Sequence, residues 1–171
     1  KTISKVVDEI KLKLQNYKIC KLEKPEILIA GCGTGQHSID TAARFKSSQV
    51  LAIDLSLSSL AYAKRKSEEL SVEAITYMHD DILDLGKLKK QFDIIESSGV
   101  LHHMKDPMLG WKALTACLKP GGLMRIGLYS ELARQEIVKT IQEIKELGIG
   151  SSDAEIKSFR DMIIKSTKGH H

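Results

Sequence analysis

Apolar residues in this chain gather in short runs separated by polar or glycine-rich stretches. The run Glu26 to Ala30 leads straight into Gly31-Cys32-Gly33-Thr34-Gly35. A short apolar run bounded by glycine reads as a buried strand. Gln49 to Ile53 is a second such run and ends on Asp54, and Phe92 to Ser97 is another. Val72 to Met78 alternates enough to be a strand, and Leu123 to Tyr129 follows the strong turn Lys119-Pro120-Gly121-Gly122.

Between these runs the apolar spacing is helical. Ile3, Val6, Val7, Ile10 and Leu14 share one helical face, so residues 1–24 predict a helix packed on the core. Further helices are expected over about 38–46, after the capping residue Ser56 with Leu60, Ala63 and Leu70 on its face, and from Pro107, which suits a first turn. Residues 131–148 and 153–166 read as two helices broken at Gly148-Ile149-Gly150.

Strands that alternate with helices imply crossover units and a parallel sheet. The expected fold class is α/β: a doubly wound, mainly parallel five-stranded sheet with helices on both faces. Ligands of such sheets bind outside the carboxyl ends of the strands. The loops starting at Gly31, Asp54, His79 and Ser97 all lie at those ends. Glycine permits a turn that other residues resist, and the helix that follows aims its free N–H groups at the loop. A strand–loop–helix nucleotide site follows. A nicotinamide fingerprint would more often space its glycines G-x-G-x-x-G, and here the third comes one place early.

Composition narrows the classes. The 171 residues fit one domain, and a net charge of +4 spread over scattered lysines gives little support for nucleic-acid binding. Cys20, Cys32 and Cys117 have no metal-like spacing and read as reduced thiols, which predicts a cytoplasmic protein. No apolar run is long enough to span a bilayer, so no membrane partner is expected. The chain lacks an initiator Met and ends in Gly169-His170-His171, which resembles the remnant of a purification tag; it reads as a piece of a longer protein. Adjacent His102 and His103 point in different directions, which disfavours a shared metal, and one of them is a candidate for the substrate entrance. Asp80 and Asp84 read as solvated turn residues, and no metal site is expected.

Taken in order, Gly31-Cys32-Gly33-Thr34-Gly35, Asp54, Asp81-Ile82, Phe92-Asp93-Ile94-Ile95, Leu101-His102-His103 and Leu118-Lys119-Pro120-Gly121-Gly122-Leu123 resemble the class I S-adenosylmethionine-dependent methyltransferases, with a Rossmann-like core. The similarity covers about 25–130. It implies S-adenosylmethionine as cofactor, S-adenosylhomocysteine as product, and five parallel strands plus a terminal antiparallel hairpin. It implies that Gly31, Cys32, Gly33 and Gly35 lie against the methionine part of the cofactor, where side chains would fill the ligand's space. Asp54 would accept from both ribose hydroxyls, because a carboxylate offers two acceptor oxygens to a vicinal diol. Asp81 would accept from the adenine amino group, the Ile82 N–H would meet a ring nitrogen, and Leu55 would cover the adenine face. The Ser97 backbone and the Ser98 side chain would lie near the cofactor's amino end.

There are two departures from the family. Ile29 stands where the family often has an acidic residue that helps hold the cofactor's amino group. No sixth and seventh strands are evident after Tyr129, so the hairpin reads as missing or truncated. The fifth strand would then be an exposed edge, to be covered by the terminal helices, by a second copy or by a partner chain. The expected organisation is an N-terminal helix over 1–24, a cofactor-binding core over 25–130, a helical segment over 131–168 and a tag remnant over 169–171. The acceptor is open between a protein and a small molecule, and no catalytic residue is singled out. Attack on the sulfonium's methyl group demands mainly positioning and desolvation. The segment Glu131-Leu132-Ala133-Arg134-Gln135 bears a slight resemblance to methyltransferase modules joined to tetratricopeptide repeats, which implies a protein partner. The alternative is a non-catalytic, methyltransferase-like scaffold.

Overall fold

The computed structural model describes residues 1–14, 18–45, 47–130 and 132–167. In chain order the elements are α1 (Ile3–Glu9), β1 (Glu26–Ala30), α2 (Gln36–Arg44), β2 (Gln49–Asp54), α3 (Leu57–Glu69), β3 (Ile75–His79), β4 (Phe92–Ser98), α4 (Pro107–Ala116), β5 (Leu118–Gly127), α5 (Gln135–Glu146) and α6 (Asp153–Thr167). Short 3-10 turns cover Lys18–Lys21, Ile82–Leu88, Leu101–His103 and Leu132–Arg134. The five strands form one sheet in the order β3-β2-β1-β4-β5, and every neighbouring pair is parallel.

The run Ile27-Leu28-Ile29-Ala30 is wholly buried because β1 is the central strand, covered on both faces. Ile27, Ile29, Val50, Ala52 and Ile94 face one apolar layer, which takes in Ile3 and Val7 of α1 and Leu60 of α3. Leu28, Ala30, Ile53 and Ile95 face the other, which takes in Leu101 and Leu114. The order reverses at β1 and β4, so their carboxyl ends form the crevice where ligands of doubly wound sheets bind.

The structure shifts several expected boundaries. The first helix stops at Glu9, Lys11 takes a positive φ of 53°, and Ile10 is left 64% exposed. Gly35, in the left-handed region, is the cap before α2, so that helix begins at Gln36. Leu70 falls at the end of α3 and is exposed. Val72 does not begin β3, because its N–H is taken by the Ser67 carbonyl at the close of α3. Lys119 to Gly122 does not precede the fifth strand; it bulges within it. Phe92 pairs with Leu118 and Ile94 with Leu123, so four residues of β5 stand opposite the single Asp93. Across the lower rim, Lys119 Nζ bonds Glu26 Oε2 at 2.8 Å and Asp93 Oδ2 at 3.1 Å.

The chain divides into two compact units, residues 1–128 and 129–171. In the second, the Arg134 guanidinium stacks 4.0 Å from the centre of the Tyr129 ring. The start of α6 is closed reciprocally: Glu155 accepts from the Ser152 hydroxyl and N–H, and Ser152 Oγ accepts from the Glu155 N–H. Gly148, at φ +64°, ends α5. Among the described residues β5 pairs with β4 alone, and no sixth or seventh strand is present. Glu131 and residues 168–171, including the tag-like end, lie outside the described residues.

Candidate functional site at the carboxyl ends of the strands

A cavity of about 550 Å³ opens at the crevice, within the usual range for small-molecule sites. Its walls include Gly31, Gly33, Asp54, Leu55, Asp81 and Ile82, from the loops after β1, β2 and β3, and Ser98 at the end of β4. These seven expected residues are thus brought together by the sheet's topology. Cys32, Gly35 and Ser97 do not line it.

The glycine loop is fixed by backbone bonds. The N–H groups of Gly31 and Cys32 both donate to the Ile53 carbonyl at 2.9 Å. All three glycines have positive φ, but their surroundings differ. A Cβ on Gly31 would stand 2.3 Å from Val100 Cγ2, and one on Gly35 would stand 2.5 Å from Ala63 Cβ. Both places are filled by the protein itself. Only at Gly33 would a Cβ meet nothing within 4 Å, so Gly33 is the loop glycine with open space beside it.

Asp54 ends β2 and binds the loop directly. Its Oδ2 accepts the Gly33 N–H at 2.7 Å, and its Oδ1 accepts the Ser56 N–H at 2.9 Å. Each oxygen keeps a second lone pair for a ligand. Asp81 Oδ1 caps the following turn by accepting the Leu83 N–H, and Asp80 Oδ1 accepts the Asp81 N–H. Asp80, expected as a plain surface residue, therefore orients Asp81 and also lines the cavity. His79 Nε2 lies 3.0 Å from the Leu55 carbonyl and ties the second and third loops together.

Cys32 is buried, and its thiol is pushed up to about 11 by burial and by the nearby Asp54 charge, which leaves it a packed, unreactive group. Ser97 is buried too, and its hydroxyl donates to the Ala30 carbonyl at 2.9 Å, locking β4 to β1. Sequence reasoning missed Val100, Met104 and Lys105 on the far wall; of the two adjacent histidines, His103 lines the cavity.

It also missed Glu96, a carboxylate only 4% exposed in the middle of the sheet. Thr41 Oγ1 donates to Glu96 Oε2 at 2.7 Å, and His37 Nε2 stands 2.8 Å from the same oxygen. Arg125 Nη1 lies 3.9 Å from the other oxygen, Oε1. Burial pushes the Glu96 carboxyl up, but His37 and Thr41 outweigh it and hold it below the usual glutamate value. The sequence signal was there: an ionisable residue inside a strand whose neighbours are buried needs a partner. Among the described residues no group of three or more His, Cys, Asp or Glu is placed to hold a metal ion. No helix among them is long and apolar enough to cross a membrane.

Comparison with known proteins agrees with this fold. Residues 27–122 match the family model described as a methyltransferase domain. An uncharacterized protein of Synechococcus sp. is 39% identical over 118 residues, which make up 68% of this chain and 28% of that protein. The ubiquinone biosynthesis O-methyltransferase of Coxiella burnetii is 32% identical over 117 residues, 68% of this chain and 48% of that enzyme. The solved structure of PKMT2 from Rickettsia typhi in complex with AdoHcy matches with a TM-score of 0.67, covering 87% of this chain and 29% of that one at 19% identity, a likeness of fold. The chain spans from 28% to 50% of the length of these and the other first curated relatives.

Proposed function

The chain belongs to the methyltransferase-domain family, and we propose that it transfers a methyl group from S-adenosylmethionine to an acceptor, with the nucleoside half of that donor in the 550 Å³ cavity. The observation that carries this reading is Asp54. Its carboxylate stands in the cavity wall at the end of β2, held by the Gly33 N–H, with lone pairs left for a vicinal diol.

When bound, the donor supplies an electrophilic methyl group on a sulfonium. The protein's part is to bind, orient and exclude water. Asp54 accepts from the ribose hydroxyls. Asp81, with Oδ1 engaged in capping, offers Oδ2 to the adenine amino group, while the Ile82 N–H meets the ring and Leu55 covers it. Gly33 lets the backbone approach the donor. Gly31, Cys32 and Gly35 hold the loop's shape for it. Ser98 borders the donor's far end, and Ser97, behind the cavity wall, holds β4 to β1.

Cytoplasmic action is part of the proposal, supported by three unpaired cysteines. So is a second copy or partner chain along the free edge of β5, supported by the pairing of that strand with β4 alone among the described residues.

The test is calorimetric titration with S-adenosylhomocysteine. Saturable one-to-one binding is expected. No detectable heat from folded protein overturns the reading.

A further inference from the structure

The proposed donor contacts use the walls built by the loops after β1, β2 and β3, together with Ser98. One stretch of wall is left over. Val100, His103, Met104 and Lys105 all come from the loop between β4 and α4. In the strand order β3-β2-β1-β4-β5, this loop and the loops after β2 and β3 stand on opposite sides of the glycine loop. The two sides carry opposite charge. Asp54, Asp80 and Asp81 line one, and Lys105 is the lysine on the other.

The loop is a firm platform. The His103 N–H donates to the Val100 carbonyl at 2.9 Å, and the Met104 N–H donates to the Leu101 carbonyl at 3.1 Å. Leu101 is wholly buried, and Val100 and Met104 pack on the apolar layer that includes Leu114 of α4. Asp106, next to Lys105 in the chain, is committed to α4. Its Oδ1 accepts the Met108 N–H at 2.9 Å and the Leu109 N–H at 3.3 Å. Lys105 enters no ion pair among the described residues. It is exposed and shares the wall with the apolar Val100 and Met104. A cation beside an apolar surface matches a ligand with an anionic group on an apolar body. Left alone, that cation repels a positively charged sulfonium, and an anion arriving with the acceptor offsets the repulsion.

We propose that the methyl acceptor is a small-molecule acid, with an apolar body against Val100 and Met104 and a carboxylate paired with the Lys105 ammonium. This rests on the donor reading above. It makes Lys105 a specificity residue for the acceptor and gives it no part in holding the donor.

The test is ligand-observed NMR titration of the protein saturated with S-adenosylhomocysteine. The probes are benzoate and octanoate, each set against its amide, which keeps the shape and lacks the charge. The protein is expected to bind at least one acid about fivefold more tightly than its amide, the scale of one partly solvated ion pair. Lys105→Met is expected to abolish that preference and Lys105→Arg to keep it. Lys112→Met, which removes a cation outside the cavity, is expected to keep it too. Calorimetry is expected to show all three variants binding S-adenosylhomocysteine within about twofold of the unsubstituted protein. Equal binding of acid and amide by the unsubstituted protein, or no saturable binding of either acid, overturns the assignment. So does a preference that survives Lys105→Met or is lost in Lys105→Arg or Lys112→Met. A Lys105→Met protein that loses affinity for S-adenosylhomocysteine also overturns it, because Lys105 then serves the donor. Should the unsubstituted protein not bind S-adenosylhomocysteine at all, the donor reading itself fails, and this assignment with it.

Discussion

Asp54 Oδ2 accepts the Gly33 N–H at 2.7 Å, which ties the end of β2 to the glycine loop across 21 residues of sequence. Substitution of this carboxylate therefore acts on two levels. Asp54→Ala is expected to weaken S-adenosylhomocysteine binding by at least about 1 kcal/mol and to lower stability by about 1 kcal/mol. Asp54→Asn keeps one acceptor oxygen and is expected to lose less of both. Calorimetry and urea unfolding read the two effects separately. Unchanged affinity in the alanine variant would show that the ribose assignment is wrong.

The three loop glycines are expected to respond differently to alanine. Gly33→Ala places its methyl group in open space at φ +51°, so the cost to folding is about 1 kcal/mol of backbone strain. Its effect on the ligand is expected to be larger, because the methyl group occupies the approach to the backbone. Gly35→Ala adds a contact of 2.5 Å with Ala63 to a φ of +87°, and is expected to cost about 2–4 kcal/mol of stability. Thermal unfolding set beside ligand titration separates the two, and a Gly35→Ala protein as stable as its parent contradicts the packing account.

At the opposite rim of the sheet, Lys119 bridges Glu26 and Asp93. Lys119→Met removes the cation and leaves the Asp93 carboxylate, in a residue only 8% exposed, with the Glu26 N–H as its remaining hydrogen bond. A loss of about 1–2 kcal/mol is expected, since the network is partly solvated. Donor binding is expected to be unaffected, because these residues lie at the far end of the strands. Chemical denaturation and calorimetry on the same variant check both statements.

Acid is expected to release Glu96. Burial alone would raise its carboxyl, but the His37 ring beside it and the bond from Thr41 leave it below the ordinary glutamate value. A group depressed in the folded state contributes stability above its unfolded value, about 4.3, and loses it as pH falls through the folded value. The stability difference between the unsubstituted protein and Glu96→Gln is therefore expected to be constant near neutrality and to shrink below about pH 4.3. Urea midpoints at a series of pH values measure it; a difference that grows in acid contradicts the direction.

The strands that are buried on both faces were the most legible. β1 begins at Glu26 and β4 at Phe92 as their apolar runs imply, because in a central strand burial leaves no choice of residue. The parallel order followed from the alternation of elements. The places of Asp54 and Asp81 in the cavity wall followed from the ends of β2 and β3. Val72 and Ile10 misled because an apolar residue just past a helix end is indistinguishable in sequence from one inside an element. The roles of Gly31 and Gly35 were hidden for another reason: what fills their space, Val100 and Ala63, comes from distant parts of the chain. Glu96 was overlooked because its partners sit on a neighbouring helix, 55 and 59 positions away.

The bulge in β5 has a consequence for how the chain finds its native pairing. A parallel edge strand is free to slide along its neighbour, and a slip of one residue would turn every side chain to the opposite face. Here Lys119 meets Asp93 only when four residues are looped out opposite it, and Gly122 passes so close to the Asp93 carbonyl that a Cβ would stand 2.9 Å away. The looped segment thus works as a key that admits one alignment. In that alignment Arg125 stands beside Glu96, so a feature at one rim of the sheet sets the charge pattern at the other.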